Sequence, residues 1–506
     1  GNVVTGGKSI LIEADHLVTG RGNQLAKAAV VVQDGRIVEV DASDACRRRW
    51  PDAQIYSFGN AIIMPGLVNA HQHGRGLSQI QLGNVDDFLE TWIAGRRAGS
   101  PIDSGAVARL AAASMLANGV TTTVHGNYAY GTGNYEQEVR DQIAAYASAG
   151  LRLTMSIGAM DRGQIVYPPH EACFMAGLPA DVKDWLSRPG NAPYCKDVAS
   201  TIELMHRLRA DFANEPLVRF CYGPAGPQWV SDRTWSLLAE DADRNGLGIN
   251  MHALESPAQR DAARELYPDG VFGHLEKLGV MNERTVVAHA VWVDERDIEV
   301  LARTKATIVR NPGSNLRLRN GIAPLARYLQ AGVRVAIGTD NCGMQDDEDL
   351  LTELRLAGTL GREPDWNGPP PPRPDQLLAM ATINGAIAAQ FGEETGILEP
   401  GRLADIAVFS LDRTNLPYLD DDMPILDAFL ARGIGSDALL TMVGGKVRYH
   451  AGVFTDQSLA ELEAAAADAA AASRLARNPK NSPLTRDYRI ELGKHYRHVC
   501  GKGENH

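Results

Sequence analysis

The chain has 506 residues, 50 of them Lys or Arg and 62 Asp or Glu, for a formal charge of −12. That length exceeds one compact unit of about 100–200 residues, although a single α/β barrel can use 250 or more, and 44% hydrophobic with 22% charged residues can bury a large core. The acidic balance disfavours nucleic acid held by phosphate neutralisation, and six cysteines without a CxxC pair disfavour a disulfide framework or zinc ribbon.

The first segment, GNVVTGGKSILIEADHL, has neither the basic start nor the apolar core of a signal peptide. No later stretch approaches the roughly 20 apolar residues of a membrane span. A soluble, cytoplasmic protein without membrane or nucleic-acid partners is expected. GGKS at 6–9 ends like a phosphate loop, but it lacks the first glycine and a preceding strand, so it is not read as a nucleotide site.

Residues 9–60 alternate apolar and polar side chains around Gly-containing turns, as in SILIEADHLV and AAVVVQDGRIVEVDA. The texture returns near 401–454, in GRLADIAVFSLD and LLTMVGGKVRYHAGVF. One small β-sandwich-like domain built from 1–60 and 395–455 is expected. Between them, eight short apolar runs recur: AIIMPGLVNA (61–70), GVTTTVH (119–125), LRLTMSIG (151–158), LVRFCYG (217–223), GLGINMH (246–252), RTVVAHA (284–290), ATIVRNP (306–312) and GVRVAIGTD (332–340). Helix-period stretches such as GAVARLAAASMLANG separate most of them. This alternation predicts an α/β fold, a parallel (β/α)₈ TIM barrel over 61–394.

Two long gaps, 74–104 and 159–200, would emerge on the barrel face that carries the strand C-termini, where they would shape a pocket. GPPPPRP (368–374) reads as a stiff connector. Residues 456–506 read as a helical extension and tail: LAELEAAAADAAAASRLARN is a surface helix, and HYRHVCGKGENH packs on a neighbour or frays, although its three His and one Cys could bind metal.

The chemistry starts at His71-Gln72-His73, closing the first run. Residues i and i+2 of a strand face the same way, so both imidazoles point into the barrel mouth, where they suit a divalent metal such as zinc or iron. Alone the pattern is weak, because 13 His in 506 residues give about 0.3 such pairs by chance. His252, His289 and Asp340 fall at or near the ends of the fifth, sixth and eighth runs, and three His with one carboxylate make a single-metal site with room for water. Each has an ordinary alternative, a core histidine or a capping Asp; together those alternatives lose weight. Glu255, three residues past His252, can shuttle a proton from water to a leaving nitrogen, its other reading being a helix-start glutamate. His289 is a further ligand or a group that orients water and polarises substrate.

These motifs identify the chain as a member of the amidohydrolase superfamily, resembling its cytosine-deaminase-like and triazine/S-adenosylhomocysteine-deaminase-like hydrolases. The matching text is MPGLVNAHQH (64–73), MHALES (251–256), VAHAVWV (287–293), NPGSNLRLRNGIAP (311–324) and VAIGTDN (335–341), with ATINGAIAAQFG and GILEPGRLADIAVF later. The resemblance implies one divalent metal, zinc or iron with cobalt and manganese also suited, on His71, His73, His252 and Asp340, with Glu255, His289 and Asp340 in proton transfer and positioning. Strand four, LVRFCYGPAG, lacks the lysine that bridges two metals in binuclear relatives. The implied reaction is attack of activated water on an sp² carbon, releasing ammonia or amine from a nitrogen heterocycle. The alternatives are cleavage of a urea, carbamate or thiocarbamate, displacement of a ring substituent such as chloride, or a non-catalytic scaffold. Family habit implies a homodimer or higher homo-oligomer.

The chain also departs from its relatives. No histidine follows Pro224, which counts against an S-adenosylhomocysteine deaminase; Arg310 stands before NPGSN; and NCGMQDDEDLLTE follows Asp340. The acidic run 346–349 reads as a helix cap and first turn, or else as a patch for a cationic substrate. Softer pocket candidates are His125, Trp92, Gln228 and Trp292. Arg317 and Arg319 read as solvated or carboxylate-binding, and Cys342 as a small buried side chain.

Overall fold

The computed structural model describes residues 8–188 and 197–500; Gly6 and Gly7 of the GGKS segment, Cys195, and residues 501–506 with the last tail histidine lie outside the described residues. The central runs form eight parallel strands in chain order: Leu67–Gln72, Val120–His125, Arg152–Ala159, Val218–Pro224, Gly248–Ala253, Thr285–His289, Thr307–Arg310 and Arg334–Ile337. Each pairs with the next, and a bridge between Gln72 and Asp340 brings the last back to the first, nearly closing the barrel. Strands covered on both faces are buried throughout rather than at alternate residues, as Val120–His125 and Thr285–His289 are, even at their Thr and His positions.

Local signals set the helix ends. Asp103 caps Ser104–Ala117 by accepting from the Ala106 N–H, and Asp294 with Asp297 forms a reciprocal capping box on Glu295–Thr304. Asp349 caps Leu350–Leu360, as the cap reading of the acidic run requires. The first turn is shorter than expected, because Asp346 and Glu348 stay outside the helix.

A second sheet has nine strands drawn from both chain ends, ordered Val453–Phe454, Lys446–His450, Ala438–Val443, Ile406–Ser410, Ala61–Pro65, Ile10–Val18, Gln24–Gln33 and Arg36–Ala42, with Gln54–Ser57 also beside Ile10–Val18. This corrects one expectation: AIIMPGLVNA is two strands in two sheets. Ala61–Pro65 pairs with Ile406–Ser410, and the chain turns into the barrel at Gly66. A Cβ at Gly66 would lie 2.2 Å from Thr121 Oγ1, so only glycine passes there. Apolar runs do not reveal such a break, since both halves are equally buried.

The C-terminal residues form two helices, Leu459–Leu475 and Asn481–Cys500. The second helix runs to Cys500 and packs through residues up to His495. Tyr488 and Leu492 are buried with Phe174, Val182 and Trp185 from the 159–200 connection, Arg489 pairs with Asp87 at 2.6 Å, and His495 stacks edge-on against Phe174. No described helix is long and apolar enough to cross a membrane.

Candidate active site

The strand C-termini bring the predicted residues together. His71, His73 and His252 each offer a ligand atom within 4.8 Å of the others, as do His71, His289 and Asp340. Their hydrogen bonds reveal which nitrogen faces inward. His73 Nδ1 lies 2.5 Å from the Gly126 carbonyl and His252 Nδ1 lies 2.9 Å from the Ala225 carbonyl. A carbonyl only accepts, so each Nδ1 carries the proton and each Nε2 presents a bare lone pair to the centre. His73 Nε2 nevertheless sits 2.8 Å from Asp340 Oδ1, and His71 Nε2 lies 3.2 Å from the same oxygen without hydrogen-bond geometry. Acceptors that converge in this way need a shared cation. Burial pushes His252 down to about 3 and lowers His73 as well, so both rings are neutral. The site fits a divalent metal.

His289 has the opposite arrangement. Arg310, buried at the end of the seventh strand, donates to Asn315 Oδ1 at 3.0 Å, which turns the amide nitrogen of Asn315 toward His289 Nδ1 at 3.1 Å. Nδ1 is therefore an acceptor, and the proton sits on Nε2, 3.3 Å from Glu255 Oε1 and 3.9 Å from Asp340 Oδ2. Glu255 is 3% exposed and accepts from Asn320 Nδ2 at 3.1 Å. Burial raises its pKa well above the ordinary range, with Asp340 and Glu90 adding to the effect. Ser314 donates to Asp340 Oδ2 at 2.6 Å. His289 (φ 78°), Asp340 (φ 50°) and Leu254 (φ 51°) hold left-handed backbone, strain concentrated around the cluster.

The Amidohydrolase family model matches residues 62–448, well over half of the chain. The chain belongs to the amidohydrolase family. With that family it is a hydrolase. An imidazolonepropionase-like composite domain model of bacteria also matches residues 28–53. The chain is 28% identical to a 5'-deoxyadenosine deaminase of Methanosarcina acetivorans over 84% of its own length and 88% of the relative. It is 29% identical to a 5-methylthioadenosine/S-adenosylhomocysteine deaminase of Thermococcus kodakarensis, over 87% and 93%. Its fold is that of a zinc-bound adenosine deaminase from Xanthomonas campestris (TM-score 0.78, 24% identity, covering 92% of this chain and 99% of the other). It is also that of a zinc-complexed atrazine chlorohydrolase from Arthrobacter aurescens (0.76, 24%, 91% and 100%).

The histidine cluster of this amidohydrolase opens into a cavity of about 380 Å³, lined also by Glu255, Asp340 and, from the 74–104 and 159–200 connections, by Trp92 and Met160. Two softer candidates are turned away from it. His125 is fully buried and bonds through Nδ1 to the Tyr146 hydroxyl at 2.8 Å; Val124 and Gly126, its neighbours, face the cavity instead, as strand alternation dictates. Gln228 is buried outside the lining, and Trp229 takes its place. Trp292 donates to the Asn320 carbonyl at 2.6 Å and stacks under Arg260. Arg317 is not solvated: it pairs with Asp86 at 2.8 Å and also with Asp346. Arg319 lies over Phe88, and Cys342 is buried, donating to the Arg75 carbonyl at 2.7 Å. The acidic run offers no free patch for a cationic substrate, since Asp346 holds Arg317, Asp347 accepts from the Asp349 N–H at 3.2 Å, Glu348 accepts from Thr339 at 2.6 Å and Asp349 caps its helix.

Sequence reasoning missed Arg75, Arg96 and Tyr128 in the lining, and Asn315 and Asn320 behind it. The two asparagines were within reach, because both stand in the quoted NPGSNLRLRN motif.

Proposed function

We propose that this amidohydrolase uses one divalent metal, held by His71, His73, His252 and Asp340, to hydrolyse a non-peptide C–N bond of a nitrogen-containing heterocycle, by deamination or amide hydrolysis. The observation that carries the reading is the set of inward lone pairs on His73 and His252 facing a buried carboxylate with no proton of their own to share. A bound divalent cation would supply an activated water as nucleophile. Glu255, kept protonatable by burial, takes a proton from the water and delivers it to the leaving nitrogen, with Asn320 fixing one of its oxygens. His289, its Nε2–H aimed at the centre, donates a hydrogen bond to the developing oxyanion rather than binding metal. The deaminase names of the Methanosarcina and Thermococcus relatives support a purine-like ring as the first class to screen. Zinc is the first ion to test, since both solved neighbours hold it.

The test has two parts. Metal per chain is measured by mass spectrometry on gently purified protein, beside a His71→Ala/His73→Ala variant. One equivalent, lost in the variant, is expected; two equivalents, or none after reconstitution, overturn the reading. On a substrate found by ammonia release, Glu255→Gln keeps its metal and loses about 10²–10⁴-fold in kcat; a loss below about tenfold removes the shuttle.

A further inference from the structure

The cavity has a second chemical end. Arg75, two residues past His73, is 6% exposed and lines the same cavity as the histidine cluster. Its Nε is buried without a hydrogen-bond partner, and no carboxylate forms an ion pair with it among the described residues. Its guanidinium lies 5.5 Å from the Trp92 ring centre and 5.1 Å from that of Tyr128, so it is held rigidly without being neutralised. Arg96 lies over the same Tyr128 ring at 4.5 Å, and Arg97 completes the lining. The Tyr128 ring is 5.0 Å from the His73 ring, so a single aromatic side chain separates the metal-ligand cluster from both stacked guanidinia.

The acids of the surrounding connections bond elsewhere, and Glu138 accepts from the Tyr130 and Thr132 N–H groups at 2.8 and 3.1 Å. Asp86 and Asp346 hold Arg317, Asp87 holds Arg489, and Glu90 accepts from Tyr167 and Ser256. The carboxylates that do line the cavity, Glu255 and Asp340, belong to the metal end. A guanidinium taken out of water without a counter-charge is costly, and the cost is recovered only when an anion arrives. Beyond it a second cavity of about 390 Å³ continues, shared by the same three arginines and walled further by Arg477.

We propose that Arg75, with Arg96 and Arg97, binds an anionic group, a carboxylate or a phosphate, on the substrate whose reacting carbon lies at the histidine cluster. The substrate class is thus a heterocycle or amide carrying an acid about one aromatic ring away from the bond that breaks. The assignment of the reacting end rests on the proposed hydrolase reading; the anion subsite itself does not.

The experiment needs no turnover. Benzoate, phenylphosphonate and neutral benzamide are titrated calorimetrically into the wild-type enzyme, into chelator-treated wild type, and into Arg75→Met and Arg96→Met variants checked for native circular dichroism. Expected is about tenfold or tighter binding of one anion over benzamide, lost in the arginine variants and kept after chelation. Preference for benzoate assigns a carboxylate, and preference for phenylphosphonate a phosphate. Should Arg75→Met not fold, Arg96→Met carries the comparison. Equal binding of anion and amide, a preference that survives in the folded arginine variants, or one that disappears only on chelation overturns the proposal. Failure of the metal or Glu255 tests would leave these titrations unchanged, so the two readings fail separately.

Discussion

Arg152 begins the third barrel strand and Asp405 stands just before a strand of the end sheet. Their bond is bidentate, Nε to Oδ2 at 2.8 Å and an Nη to Oδ1 at 2.9 Å, with side chains only 3% and 2% exposed. Asp405 Oδ1 also accepts from the Gly444 N–H at 2.8 Å. Replacing Asp405 by Leu leaves a guanidinium buried and uncompensated, at a cost of about 3–5 kcal/mol, and strands the Gly444 N–H for about 1 kcal/mol more. Arg152→Met strands the carboxylate and costs nearly as much. The double variant Arg152→Met/Asp405→Leu removes both charges and stays within about 2 kcal/mol of wild type, because apolar side chains of similar volume replace the pair. Urea titrations followed by circular dichroism on all four proteins close the cycle. An Asp405→Leu cost below about 1 kcal/mol, or a double variant as unstable as the two singles summed, would refute the claim that this pair ties the end sheet to the barrel.

Glu348 is fully buried and pushed up to about 7, chiefly by burial. Stability is therefore free of its penalty below the unfolded value of about 4.3 and declines as pH rises through 7, so Glu348→Gln should match wild type near pH 4 and exceed it by as much as about 3 kcal/mol at pH 8, read by denaturant titration at both pH values. Gly66→Ala drives a methyl into the Thr121 side chain and should cost about 1–3 kcal/mol, read by the same denaturant titration and partly recovered by adding Thr121→Ala, which removes both Oγ1 and the methyl; Thr121→Ser, which keeps Oγ1, should recover little. Asn315→Leu removes the nearer of two amide donors to His289 Nδ1, leaving Asn311 Nδ2 at 3.4 Å; turnover should fall about 10–100-fold with metal content unchanged, and nitrogen NMR should show the His289 proton partly redistributed from Nε2. An unchanged tautomer would show that Asn315 does not position the ring.

Local pattern carried much of this protein. Eight apolar runs spaced by helix-period segments are enough to specify a parallel barrel, because strand and helix periods are properties of consecutive residues. His71 with His73 shares a face by the same alternation, and His252, His289 and Asp340 were found because strand ends are legible and this fold gathers them at one mouth. What sequence could not carry is anything decided by which side chain meets which across the chain. Gly66 splits an unbroken apolar run because Thr121 crosses it. His125 turns to Tyr146, and Gln228 yields the cavity to Trp229. Arg317 is consumed by Asp86, 231 positions away, while Arg75 is left with two aromatic rings and no counter-ion. The direction of the His289 proton likewise depends on Arg310 holding one amide. Periodicity sets where a residue falls along its element; the charge, tautomer and exposure it ends with are set by partners that only tertiary packing brings within hydrogen-bond distance.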